Sequence, residues 1–271
     1  MNVYETISEI VIKSLENGAK PWVKPWFGTA GAYNRVTKKT YSLLNQILLG
    51  KPGEYATFKQ WQALGGKIRR GEKSSFVVFW KLLEKEPDED SESEKQVIPI
   101  LRYYRVFHVE QVDGVKSLAD NSAKTDLQPI SDAENLFQSY LNREKICFTE
   151  GESASYSPVL DRIMLPQLNQ FISSEEFYLS AFHEAVHSTG HESRLNRSLV
   201  SFSADRKSYA TEELVAEMGA YAIMHKLGID TNDSSENSVA YLHDWAESIK
   251  ADSHLIVNAA SKAEKAVNFI M

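Results

Sequence analysis

The stretch HEAVHSTGH, holding His183, Glu184, His187 and His191, constrains this chain more than any other. His-Glu-x-x-His calls for an α-helix, because residues one turn apart lie on one face and can turn two imidazoles toward one ion. Glu184 follows His183 directly, where its carboxylate can take a proton from a water that the metal activates. The flanks agree. Ser173 and Ser174 are candidate N-caps, Phe177, Ala181, Phe182, Ala185 and Val186 offer a buried stripe, and Gly190 offers a stop. The expectation is a helix over about 174–189 carrying a divalent ion, Zn2+ or another such as Mn2+.

A catalytic zinc site takes three protein ligands. His191 is one candidate. The pattern that uses a third histidine places it three residues after the glycine, however, where this chain has Ser193. The better source is EELVAE, in which Glu213 and Glu217 lie four apart on one face of an expected helix over 208–228. In the gluzincin arrangement the earlier carboxylate binds metal and the later one supports a ligand histidine through its second nitrogen. Glu213 is then the ligand and Glu217 its supporting partner, with the exchange of roles as the alternative. Glu212 is expected to point elsewhere. His108, His225, His243 and His254 lack ligand spacing and read as structural or surface residues, and Tyr156 reads as an ordinary strand aromatic rather than an oxyanion donor.

At 271 residues the chain has room for two domains with their own cores. Its 42% hydrophobic and 25% charged residues suit a globular protein, and no run reaches the ~18 apolar residues of a membrane span. The amphipathic N-terminus lacks the blocks of a secretory signal, and a lone cysteine forms no internal disulfide; both fit a cytoplasmic protein with no membrane partner. That cysteine, Cys147 in KICFT, reads as a buried strand residue.

The fold class is α+β in two domains. A helix over 2–17, an aromatic loop, short helices at 42–49 and 58–64, and strands make a small α+β domain with an antiparallel sheet, residues 1–115. KIRRGEKSSFVVFWKLL reads as a hairpin turning at Gly71, and its strand over 76–83 can pair with 97–112. Between them an acidic run, 84–95, holds seven acids and two lysines and reads as a solvated insertion. Residues 116–130 form a polar linker. The second domain, 131–271, reads as a helix, short strands at 145–149, 153–157 and 161–165, the metal helix, and three further helices.

Charge divides along the same line. Residues 1–81 hold thirteen Lys/Arg against five Asp/Glu, whereas 82–271 hold seventeen against 32. A basic first third suggests an anionic partner. Lys20, Lys24, Arg35, Lys38, Lys39, Lys67, Arg69, Arg70 and Lys73 are interleaved with Trp22, Trp26 and Trp61, giving cations for phosphates and rings for bases, as single-stranded DNA binding needs. Gly66 and Gly71 mimic a phosphate-binding loop, but Glu72 occupies the lysine position and excludes nucleotide hydrolysis.

With these residues in view, the chain resembles the ArdC-type antirestriction proteins of conjugative plasmids and related mobile elements. The resemblance rests on NGAKPWVKPW, YATFKQWQALGGKIRRGEKSSFVVFW and YRVFHVEQV in the first half, and on YSPVLDRIMLP, FHEAVHSTGHESRLNR and YATEELVAEMGAY in the second. It implies an N-terminal domain that binds single-stranded DNA, a C-terminal zincin-like metallopeptidase domain acting on a host protein or peptide, and protection of incoming DNA from restriction. Two other functions stay open: a DNA-binding shield whose metal site does not cleave, and a stand-alone cytoplasmic metalloprotease.

Overall fold

A computed structural model describes residues 2–17, 31–85, 96–118, 129–171, 173–197, 199, 206–229 and 238–271. Lys20, Trp22, Lys24 and Trp26, most of the acidic run and most of the expected linker lie outside them.

Helix α1 (Val3–Glu16) starts at a capping box: the Asn2 side chain accepts from the Tyr4 N–H at 3.2 Å, and Glu5 accepts from the Asn2 N–H at 2.9 Å. It buries Ile7, Val11 and Leu15, the stripe that helical spacing dictates. A four-stranded sheet follows, built from β1 (Ala32–Asn34), β2 (Gly53–Ala56), β4 (Ser75–Lys85) and β5 (Gln96–His108) in the order β1-β2-β5-β4. It is antiparallel except for the parallel β1–β2 pair. Helix α2 (Leu43–Leu49) is pinned to β4 by buried Asn45, whose amide donates to the Val78 carbonyl at 2.9 Å and accepts from the Val78 N–H at 2.7 Å.

Strand β3 (Lys67–Ile68) corrects the expected hairpin. It pairs with β6 (Val112–Asp113), not with β4. Ile68 packs on a separate cluster of Ala56, Trp61, Val109 and Val112, and that burial decides the pairing. Gly66 permits the approach, since a Cβ there would stand 2.6 Å from Val112 Cγ1. Trp61, in α3 (Phe58–Ala63), is fully buried and its Nε1–H donates to the Phe107 carbonyl at 2.9 Å, so the structure corrects its reading as a DNA-stacking ring.

The second half comprises α4 (Pro129–Glu144), a three-stranded sheet of β7 (Cys147–Glu150), β8 (Ser155–Ser157) and β9 (Arg162–Leu165) in the order β7-β9-β8, and helices α5 (Ser174–Ser188), α6 (Arg206–Lys226), α7 (Ser238–Ala251) and α8 (Leu255–Ile270). Cys147 is exposed, against expectation. Phe148 beside it is also exposed, at 38%, although its ring meets Phe137 edge-on at 5.8 Å. The apolar run of the strand seals neither residue.

The largest core does not respect the midpoint of the chain. Ile7, Val11 and Leu15 of α1 and Leu43, Leu44 and Ile47 of α2 belong to the same buried cluster as the apolar faces of α4, α5, α6 and α8. Polar contacts bind the same seam: Ser8 Oγ donates to the Ser253 carbonyl at 3.0 Å, and Leu43 N–H donates to Glu264 at 3.1 Å. Each of the three α1 side chains contributes about 1.5–3 kcal/mol through burial.

Candidate metal centre and nucleic-acid surface

Ser173 caps α5, its Oγ accepting from the Glu176 N–H at 3.2 Å, while Glu175 and Glu176 occupy the electropositive first turn. Ala181, Phe182, Ala185 and Val186 are fully buried, which leaves His183 and His187 facing α6. Gly219 of α6 allows the two helices to meet closely, because a Cβ there would stand 2.8 Å from Val186 Cγ2.

His183, His187 and Glu213 converge, each offering one donor atom within 4.8 Å of the others. The two histidine Nε2 atoms are 3.1 Å apart, and the Glu213 oxygens lie 3.3 Å from His183 Nε2 and 3.4 Å from His187 Nε2. Two imidazoles and a carboxylate around one point fit a divalent ion that keeps a position open. Both imidazoles hold the Glu213 carboxyl well below the usual carboxylate range although burial opposes this, and Glu212 with Glu213 raises His187 against the same burial. Glu184 is buried, 8% exposed, one residue along from His183.

The far nitrogens of both rings meet carboxylates too. Glu217 Oε2 lies 3.8 Å from His183 Nδ1, on the side where supporting contacts to a ligand histidine are made. Contrary to the expectation from the sequence, Glu212 does not point elsewhere: its Oε1 stands 3.5 Å from His187 Nδ1. Arg197 explains this. Its Nε and Nη2 donate to the two Glu212 oxygens, at 3.0 Å and 2.6 Å, and its remaining donors reach Thr189 Oγ1 at 2.7 Å and the Val186 carbonyl at 2.8 Å. A cation thus closes the C-terminal end of α5 and aims a carboxylate at its histidine. Sequence reading missed Arg197, which has no motif spacing to either partner.

His191 stays out of the group, its Nδ1 engaged by Ser193 Oγ at 2.8 Å. The Tyr156 hydroxyl donates to Asp161 at 2.7 Å and accepts from Arg194 Nη2 at 3.0 Å, while Arg194 Nε donates to the Ser188 carbonyl at 2.7 Å. That network ties β8 to the end of the metal helix. Among the remaining histidines, His108 is hydrogen-bonded to the Pro52 carbonyl at 3.1 Å and His254 stacks on Tyr4 at 3.7 Å.

Of the expected DNA contacts, Lys38, Lys39, Lys67, Arg70 and Lys73 are exposed, and Arg69 is exposed but paired with Glu72 at 2.8 Å. Arg35 is committed to Glu54, whose side chain is fully buried, so it serves as an internal counter-ion rather than a free phosphate ligand. Sequence reading also passed over Phe79, Trp80, Tyr103 and Tyr104, which are between 46% and 54% exposed on the β4–β5 ribbon. The signal was available in the runs FWK and RYYR, which mix rings with cations. Among the described residues no helix is long and apolar enough to cross a membrane.

Comparison with known proteins gives this geometry a lineage. Residues 1–107 match the family described as the N-terminal domain of the anti-restriction factor ArdC, and residues 132–262 match a family of zincin-like metallopeptidases. Two DNA primases TraC from Escherichia coli are each 32% identical over 99% of this chain, which spans only 20% and 27% of their own length. An uncharacterized protein, y4eC, of Sinorhizobium fredii is 26% identical, over 99% of this chain and 91% of its own. The metal-free crystal structure of the antirestriction protein ArdC from plasmid R388 is 32% identical and superimposes with a TM-score of 0.79 over 100% of this chain and 97% of that one. Its Mn(II)-bound form gives a TM-score of 0.78. Matched from end to end in sequence and in fold, this chain belongs to the ArdC family of antirestriction proteins.

Proposed function

We propose that this protein protects the incoming DNA of a mobile element from host restriction, binding single-stranded DNA through residues 1–115 and holding a divalent metal in residues 131–271. His183, His187 and Glu213 are the ligands, with Zn2+ or Mn2+ as the ion; the R388 protein, crystallised with Mn(II), supports the second choice. The convergence of three donor atoms within 4.8 Å carries this reading. When bound, the ion supplies Lewis acidity toward water and a peptide carbonyl. Glu184 takes the proton from the attacking water and returns it to the leaving amine. Glu212 and Glu217 hold the two imidazoles with Nε2 toward the centre. Burial around the site strengthens each of these interactions.

The test joins two measurements on the purified full chain. Metal analysis and cleavage of denatured polypeptide are expected to show a bound ion and an activity lost in Glu184→Gln. Binding to single strands is expected to weaken steeply with salt. A metal-loaded protein that cleaves nothing, with Glu184→Gln still protecting DNA, would remove the peptidase step. Equal affinity for duplex and single strands would remove the single-strand preference.

A further inference from the structure

The β4–β5 ribbon presents a surface that the metal centre does not use. Its register pairs Val77 with Tyr104, Phe79 with Arg102 and Lys81 with Ile100. Cross-strand partners share a face, as do residues two apart. Val77, Phe79 and Lys81 therefore stand on one face with Arg102, Tyr104 and Val106. The inner end of that face is sealed, with Val77 and Val106 each 1% exposed in a cluster with Tyr41 and Tyr55. Further out, Phe79 and Tyr104 are each 46% exposed and meet edge to face at 5.9 Å, and Phe79 also leans on Tyr41 at 6.2 Å. Lys81 and Arg102 are exposed beside them, and no carboxylate among the described residues pairs with either. Strand β2 meets β5 only at Tyr55↔His108 and Ala56↔Phe107, so the ribbon extends past the sheet among the described residues.

We propose that this face, made by Phe79, Tyr104, Arg102 and Lys81, is a stacking track for single-stranded DNA. The inference rests on the DNA reading above and gives it a place on the molecule. Open ring faces accept unpaired bases, whereas duplex hides its base faces except at its ends. Two cations that no carboxylate among the described residues pairs with flank the rings; they complement a phosphate backbone and would be costly under an apolar protein partner. The exposed cations Arg70 and Lys73 lie just ahead of β4 in the chain and extend the positive charge toward it.

The experiment is fluorescence anisotropy of the full-length, metal-loaded protein with a labelled oligothymidine. The double variant Phe79→Leu with Tyr104→Leu keeps apolar contact with Tyr41 but removes both rings, and it is expected to bind roughly ten-fold more weakly or worse. Arg102→Gln is expected to lower the salt slope by about 0.7. Tyr103→Leu, on the opposite face, is expected to bind like the wild type, and melting curves confirm that all variants fold. If the wild type binds and the double variant binds equally well, or loses no more than Tyr103→Leu does, the track is overturned while DNA binding stands. If the wild type does not bind single strands, the DNA reading itself fails and takes the track with it. A dimer that the double variant dissolves without changing DNA affinity also overturns the proposal.

Discussion

Glu212 stands 3.5 Å from Nδ1 of His187, on the side of the ring away from Glu213. Consecutive helix residues differ by about 100° in direction, so the adjacent acids of α6 reach two edges of one imidazole. The Arg197 fork makes this possible by holding Glu212 in place. Arg197→Ala is expected to weaken metal binding roughly 10–100-fold, as loss of such supporting contacts does elsewhere. Arg197→Lys recovers only part of it, because an ammonium cannot reproduce the two-pronged contact. Calorimetric titration of the metal-free protein checks this, and unchanged affinity in Arg197→Ala would refute it.

The ligand set has its own test in thermal melting. Metal at a hundred times its dissociation constant is expected to add about 2.7 kcal/mol to wild-type stability. Glu213→Ala is expected to lose that gain, while His191→Ala keeps it. A metal-dependent rise in Tm that survives in Glu213→Ala would place the third ligand elsewhere.

Gly219 sets the spacing between the two helices that carry the site. Gly219→Ala forces a methyl to within 2.8 Å of Val186 Cγ2, so the helices must part. The expected cost is roughly 1–3 kcal/mol in chemical denaturation, together with weaker metal binding. Adding Val186→Ala is expected to restore both in part, and strictly additive losses would count against the steric account.

His108 supplies a pH dependence. Its Nε2 lies 3.1 Å from the Pro52 carbonyl and its Nδ1 accepts from the Glu110 N–H at 3.3 Å, a pairing that needs the neutral ring. Burial, followed by the charge of Lys51, lowers its pKa below the ordinary histidine value. A lowered folded pKa means that the unfolded chain binds the proton more readily. The stabilisation is therefore complete above pH ~6.5 and lost as the pH falls through the lower folded value. Between about pH 7 and 5 the Tm of the wild type is expected to fall more than that of His108→Gln. Parallel curves would contradict the assignment.

Trp61 separates a core role from a DNA-contacting one. Trp61→Ala is expected to cost roughly 3–5 kcal/mol in urea unfolding. Full stability with lost DNA affinity would return the residue to the surface.

The parts of this fold that show through in sequence are those with local causes. Helices α1, α5 and α6 follow from residues a turn apart, and His183, His187 and Glu213 come together because each pair obeys a short helical rule or a recurring metal-site arrangement. Arg197 had no such rule, since its contact with Glu212 spans 15 positions and depends on how the connection folds back. The apolar neighbours of Cys147 suggest burial, but β7 leaves Cys147 exposed and Phe148 38% exposed, because its strand partner among the described residues, β9, covers only one edge and local hydrophobicity does not reveal that. The β3–β6 pairing was equally invisible, because it is decided by Ile68 joining a cluster whose members are scattered between Ala56 and Val112.

The shared core bears on how such a chain is inherited. Ile7, Val11 and Leu15, at its beginning, are buried in the same cluster as the helices at its end. Splitting the gene near its middle would leave each product with a bare apolar face and a tendency to aggregate. Recombination is thus favoured to move the stretch whole, as an indivisible cassette. The two TraC primases have that appearance, matching this chain over 99% of its length inside far longer proteins.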